Sequence, residues 1–197
     1  MKRLLDILLS ISGLLLLSPV ILAVSLAIRL EDKGPVLYRA KRVGLFGEPF
    51  IMYKFRTMVI NAENIGPSST SSDDGRITNT GRFLRRLKID EIPQLLNVLI
   101  GNMSIVGPRP EIKRFTDMFT GDEKTILTVK PGITDWASIW NSNEGKMLEG
   151  ADDPDMMYMK LIRPEKIRLQ LKYVKNHNFF IDLQIIFFTI RKIIFGK

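Results

Sequence analysis

LLLLSPVILAV, residues Leu14 to Val24, lies inside a run from Ile7 to Ile28 that holds 22 residues and no charge. As one α-helix the run is about 33 Å long at ~1.5 Å per residue, enough to cross a hydrocarbon core. Yet it carries Ser18-Pro19 at its middle. Proline is the residue a helix interior tolerates least, because it lacks an N–H and its ring crowds the preceding turn. Pro19 leaves the carbonyl of Leu15 without its helical partner, and in lipid such an orphan is costly. The hydroxyl of Ser18 is placed to reach back to the carbonyl of Leu15 or Leu14. A serine directly before a proline therefore breaks a helix in lipid while keeping the backbone satisfied.

The flanks bear on where the chain goes after the break. Lys2 and Arg3 precede the run; Arg29, Lys33, Arg39, Lys41 and Arg42 come after it. Basic flanks favour the cytoplasmic face, and here both ends are basic. A straight span cannot place both there, whereas a helix that bends and returns can. Three other readings compete. A signal peptide shares the Lys2-Arg3 start, but the run is too long and no clean A-x-A site follows. A kinked spanning helix is compatible with proline in membranes. A buried core helix is disfavoured by the length. The residues alone leave the re-entrant helix and the kinked span open.

The 197 residues suffice for one membrane element, residues 1–30, and one compact domain, residues 31–197. Against 21 Asp and Glu stand 29 Lys and Arg, a net charge of +8 that points to a polyanionic partner: nucleic acid, an anionic membrane or phosphorylated substrates. Cysteine is absent, which excludes disulfides, zinc–thiolate sites and a thiol nucleophile. The single histidine, His177, excludes a histidine metal cluster, while an oxygen-ligated ion such as Mg²⁺ stays open.

Along the domain, VLYRAKRVG and PFIMYKFRTM read as two strands around the turn LFGEP, with Lys54 and Arg56 on one face by the period of two. The stretch from Asn64 to Gly75 is polar and loop-like. TGRFLRRLK reads as a short amphipathic helix, and DEIPQLLNVLIG as a second that starts near Asp90 and stops at Gly101. GPRP and KPGIT read as turns, the latter leading to Trp136 and Trp140 at helical spacing. RPEKIRLQLKYVKN is a helix with Pro164 in its first turn. The apolar tail Phe179 to Phe195 carries Asp182, Arg191 and Lys192, and fits a helix lying in a membrane interface better than one crossing it. A buried C-terminal helix is the alternative. The expected class is α+β and helix-rich, with a short β-hairpin.

Asp90-Glu91 is the best carboxylate candidate. Neighbours on a helix point about 100° apart at ~3.6 residues per turn, so the two need not share a proton. A helix cap is the plainer reading of Asp90. Arg109 lies between Pro108 and Pro110, whose fixed φ holds its backbone still and suits its fork to phosphate. Lys54, Arg56 and Arg85 are candidates to join it.

Read in order, KFRTM, DGRITNTGRFLRRLKIDEIPQLLNVLIGNMSIVGPRP and KPGIT resemble the bacterial sugar transferase family, the monotopic phosphoglycosyl transferases, over nearly the whole chain. The resemblance implies transfer of a sugar 1-phosphate from a UDP-sugar to undecaprenyl phosphate, with UMP released. It implies that Asp90 is the nucleophile, forming an aspartyl-phosphosugar intermediate, and that Glu91 positions or activates the lipid phosphate or supports the metal. Mg²⁺ is the implied cofactor, with Asp90 near it. Lys54, Arg85 and Arg109 fall on the cationic positions, and Ser18-Pro19 on the hinge of a re-entrant helix. The implied location is the bacterial inner membrane, with the catalytic domain on the cytoplasmic face and interfacial helices against membrane lipids. Asn102 stands where the family often has Asp, and Asp135 where glycine is common, which bears on the donor-sugar pocket. The acidic loop Glu149–Asp155 has no assigned role, and homodimer formation stays open. A membrane-tethered nucleic-acid-binding protein is the second hypothesis suggested by the charge, but no nucleic-acid module is recognisable and no such partner is expected. A structural scaffold is the third.

Overall fold

The computed structural model describes residues 1–196; Lys197, the last residue of the expected domain, lies outside them. The apolar run forms two helices, α1 (Lys2–Leu16) and α2 (Ser18–Asp32), bent by 61° at Leu17. Ser18 Oγ donates to the Leu15 carbonyl at 2.8 Å, so the acceptor orphaned by Pro19 is filled as the sequence predicts. No single helix among the described residues is long and apolar enough to cross a membrane; the bent pair is, by length and composition.

Both ends of the pair are fastened to the same body. At the start, Lys2 Nζ donates to Asp182 Oδ2 at 2.6 Å and to the Val106 carbonyl at 2.9 Å. Arg3 donates to the carbonyls of Val98 and Leu99, and buried Asp6 accepts from Ser104 Oγ and the Ile105 N–H. At the other end, Glu31 accepts the N–H groups of Asn79 and Thr80, and Asp32 pairs with Arg56.

The chain then forms the expected hairpin. Strands β1 (Leu37–Val43) and β2 (Pro49–Phe55) pair antiparallel, with Tyr38 opposite Lys54, Ala40 opposite Met52 and Arg42 opposite Phe50. Phe55 joins Val24, Ile28 and Leu84 in one core cluster, which seats α2 against α3 (Asn79–Arg86) and the hairpin. The next segment differs from expectation. Asp90 and Glu91 sit in a tight 3₁₀ turn, Ile89–Glu91, and the next helix, α4 (Gln94–Ile100), starts only after Pro93. Pro93 suits that helix entry because it has no N–H to leave unpaired.

KPGIT, expected as a turn, supplies a strand, and an unexpected strand precedes GPRP. β3 (Ser104–Val106) and β4 (Gly132–Thr134) pair in parallel, Ser104 with Gly132 and Val106 with Thr134. The backbones cross so closely that a Cβ on Gly132 would lie 2.1 Å from the nitrogen of Gly107, so glycine is required there. The short helix α5 (Lys113–Thr116) lies between the two strands in sequence, and α6 (Trp136–Trp140), α7 (Glu144–Met147) and α8 (Pro154–Met157) follow them. The chain ends in α9 (Arg163–Asn176) and α10 (Phe179–Phe195), both with the bounds read from sequence. The result is α+β, helix-rich, with two small two-stranded sheets.

Asp182, which looked out of place in an apolar tail, is turned inward to Lys2 and to Tyr173 Oη at 2.8 Å. The opposite face of α10 exposes Phe180, Phe187, Ile190 and Ile194. Trp136 packs against Phe188 of that helix, its ring centroid 6.0 Å away, and Trp140 stays exposed.

Candidate active site

Glu91 is the hub of the site. Its carboxylate accepts two hydrogen bonds from the Arg109 guanidinium, one to each oxygen, and a third from Lys54 Nζ at 3.0 Å. Burial by itself would raise the Glu91 carboxyl, but Arg109 and Lys54 outweigh it and hold the group well below the ordinary carboxylate range. Glu91 is thus a fixed anion with its lone pairs spent on two cations, which makes it a poor proton acceptor. Its charge raises Arg109 in turn, while burial lowers Lys54.

Asp90, one residue earlier, has the contrasting environment. It is 7% exposed and accepts no hydrogen bond from any described residue. Burial pushes its carboxyl above the usual range; Lys54 and Arg85 pull against that, and Glu91 reinforces it. The capping reading of Asp90 does not hold, because Pro93 occupies the cap of α4. The result is a buried carboxylate with open lone pairs among cations.

The strand–turn–helix elements explain how these groups converge. Lys54 lies near the end of β2, against the turn that holds the dyad. Arg85 projects from the last turn of α3 and donates to Thr57 Oγ1 at 2.8 Å, with no carboxylate among the described residues bonded to it. Arg109 is held at both sides of its peptide. Its N–H donates to Asp135 Oδ2 at 3.3 Å, and its carbonyl accepts from Gln170 Nε2 at 3.3 Å. The Pro108 carbonyl just before it accepts the Gly132 N–H at 2.9 Å.

Arg56 does not join this group. The strand ends at Phe55, and Arg56 turns to Asp32 and the Pro35 carbonyl, where it clamps the end of α2. The period of two therefore carries Lys54 to the dyad but stops one residue short of Arg56. Ser18 and Pro19 lie at the bend of the apolar pair, remote in sequence from the dyad, and their part is that of the hinge.

Two features escaped the sequence reading. Asp135 is fully buried, caps α6 by accepting the Ser138 N–H at 2.6 Å, and supports Arg109, so it does not line an open donor pocket. The acidic loop is a clasp: Asp155 accepts the N–H groups of Ser68 and Ser69, and Glu149 accepts from Ser72 Oγ at 2.8 Å. It ties residues 149–155 to the serine-rich loop. Only the density of capping residues on both sides hinted at such a bond.

Comparison with known proteins places the chain in a family. Residues 1–196 match the family model described as bacterial sugar transferase. A protein of Bacillus subtilis named uncharacterized sugar transferase EpsL is 39% identical over 197 residues, covering 100% of this chain and 89% of that protein. The UDP-N-acetylgalactosamine-undecaprenyl-phosphate N-acetylgalactosaminephosphotransferase of Aeromonas hydrophila is 38% identical over 99% of this chain. The UDP-glucose:undecaprenyl-phosphate glucose-1-phosphate transferase of Escherichia coli is 36% identical over 98% of it. The chain spans 44% and 40% of the lengths of these last two proteins. With a match that runs from the first residue to the last one described, the chain belongs to the bacterial sugar transferase family.

Proposed function

We propose that the chain is a phosphoglycosyl transferase that moves a sugar 1-phosphate from a UDP-sugar to undecaprenyl phosphate through a phosphosugar adduct on Asp90, with release of UMP. The observation that carries the chemistry is the division of labour in the dyad: Glu91 is saturated by Arg109 and Lys54, and Asp90 accepts no side-chain hydrogen bond among the described residues. The printed names of two relatives supply the donor and acceptor classes.

A carboxylate that attacks a diphosphate meets repulsion of about 4 kcal/mol per pair of unit charges at ~4 Å and an effective dielectric near 20. Lys54, Arg85 and Arg109 are placed to offset it. Glu91 holds two of those cations in position. Covalent catalysis lets the soluble donor and the lipid acceptor react in turn rather than together. Asp90 is also the residue that fits Mg²⁺, because this ion keeps several waters and binds one or two carboxylates together with substrate phosphates. When bound, Mg²⁺ supplies further screening of phosphate charge.

The membrane placement rests on the bent pair. That Lys2, Arg3 and Asp6 at its start and Glu31 and Asp32 at its end bind one body supports a re-entrant dip into one leaflet over a crossing. The exposed face of α10 then lies in the interface of the inner membrane, with the domain on the cytoplasmic side. The test is UMP release by the full chain in lipid or detergent, across a panel of UDP-sugars. Release that requires both undecaprenyl phosphate and Mg²⁺ is expected. Salt-sensitive binding of nucleic acid with no UMP release would instead favour a tethered nucleic-acid protein.

A further inference from the structure

The hairpin carries a cation that the proposed chemistry does not use. Residues paired across β1 and β2 point to the same face, so Tyr38, Ala40 and Arg42 share a face with Lys54, Met52 and Phe50. Ala40 and Met52 are the buried floor of that face. At one end of it Lys54 meets Glu91; at the other stands Arg42. The next residue, Val43, donates its N–H to the Glu111 carbonyl at 2.9 Å, which sets Arg42 beside the Arg109-Pro110-Glu111 segment.

Arg42 is half-buried, yet the one hydrogen bond of its side chain among the described residues goes to the carbonyl of its own neighbour Lys41, at 2.9 Å. Glu111, the carboxylate within electrostatic reach, accepts Lys166 Nζ and Tyr158 Oη on its Oε1 and accepts no hydrogen bond from Arg42 among the described residues. Arg109 adds a like charge. A guanidinium with most of its fork unspent, in a partly desolvated place beside a second guanidinium, is built for a multivalent anion.

We propose that Arg42 grips the phosphate that departs with the nucleotide when a nucleoside diphosphate sugar reacts at Asp90, an inference that rests on the transferase reading. A diphosphate offers two phosphates in series. The charged groups run from Asp90 and Lys54 through Glu91 and Arg109 to Arg42. With the sugar-bearing phosphorus at Asp90, the second phosphate extends toward Arg109 and Arg42. In the step itself an oxygen of Asp90 bonds to the sugar-bearing phosphorus, and the bond from that phosphorus to the bridging oxygen breaks. The electron pair stays on the bridging oxygen, which leaves as part of the nucleoside monophosphate. Arg42 meets the charge that appears there.

The test is binding of UMP and of uridine to the full chain in detergent, for wild type, Arg42→Ala, Arg42→Lys and the control Lys41→Ala. Lys41 is exposed and on the other face of β1. Loss of one charge-assisted phosphate contact should weaken UMP by roughly 10- to 100-fold in Arg42→Ala. Uridine affinity and melting temperature should stay as in wild type, lysine should restore part of the loss, and Lys41→Ala should match wild type. Equal UMP affinity in wild type and Arg42→Ala would overturn the proposal and leave the transferase reading standing. So would equal loss of UMP and uridine with a lowered melting temperature, because that marks a structural role. A wild-type chain that binds no UMP would overturn both.

Discussion

Two carboxylates one residue apart end in opposite states, and the neighbours decide which. Glu91 is surrounded by Arg109 and Lys54; Asp90 is buried and accepts no hydrogen bond from any described residue. Another carboxylate, the partly buried Glu111, is paired with Lys166 and bonded by Tyr158 Oη at 2.7 Å. Burial alone would raise Glu111, but Lys166 outweighs it and the group sits below its ordinary value. A depressed carboxylate contributes stability that is full above its unfolded value, roughly 4.3, and is lost as pH falls through the folded value. Melting temperature measured from pH 7 down to pH 3 should therefore drop more steeply for wild type than for Glu111→Gln. Parallel curves would remove the pair from the account. At this scale Asp90, Glu91, Lys54, Arg85 and Arg109 were legible because an ordered motif contains them all. The partner of Arg56 was not, since the alternation of a strand says nothing about where the strand stops. Nor was the support that Asp135 gives Arg109, since a contact 26 residues apart leaves no local pattern.

The elements were legible in proportion to their length. The 15-residue halves of the apolar run, the hairpin, α9 and α10 were all visible as long periodic or apolar stretches. β3 and β4 are three residues each, too short to show a period, and the glycines and prolines beside them imitate turns. The 3₁₀ turn at the dyad was hidden because Asp-Glu before a helical pattern is also what a cap looks like. The element with the most direct test is the hinge. The chain has no cysteine, so single cysteines report their own position. One added ahead of Met1 and one replacing Lys33 should both react with an impermeant maleimide only when the cytoplasmic face is open. Pro19→Ala restores the missing N–H and favours a continuous helix, so part of that population should become labelled from the outer face at one end. Labelling of the wild-type ends from opposite faces would establish a crossing helix instead.

At the scale of the molecule, the net charge of +8 and the apolar surface serve one arrangement. Exposed Leu15, Leu22 and Leu26 of the bent pair, and Phe187 and Ile194 of α10, suit lipid. The partly buried cations surround one buried carboxylate. The fastening of Lys2 to Asp182 ties the first helix to the last, so the bent pair is anchored to the rest of the fold. In the proposed reaction this brings Asp90 to the level of a lipid phosphate while leaving the donor side open to water. The central claim is that Asp90 carries the phosphosugar between donor and acceptor. It is tested by incubating the full chain with a UDP-sugar labelled in its sugar-bearing phosphate, with Mg²⁺ and without undecaprenyl phosphate, then quenching and counting label retained on the protein. Wild type should retain label that undecaprenyl phosphate chases into lipid, and Asp90→Asn, folded and equally stable, should retain none. Equal label on Asp90→Asn would contradict the account.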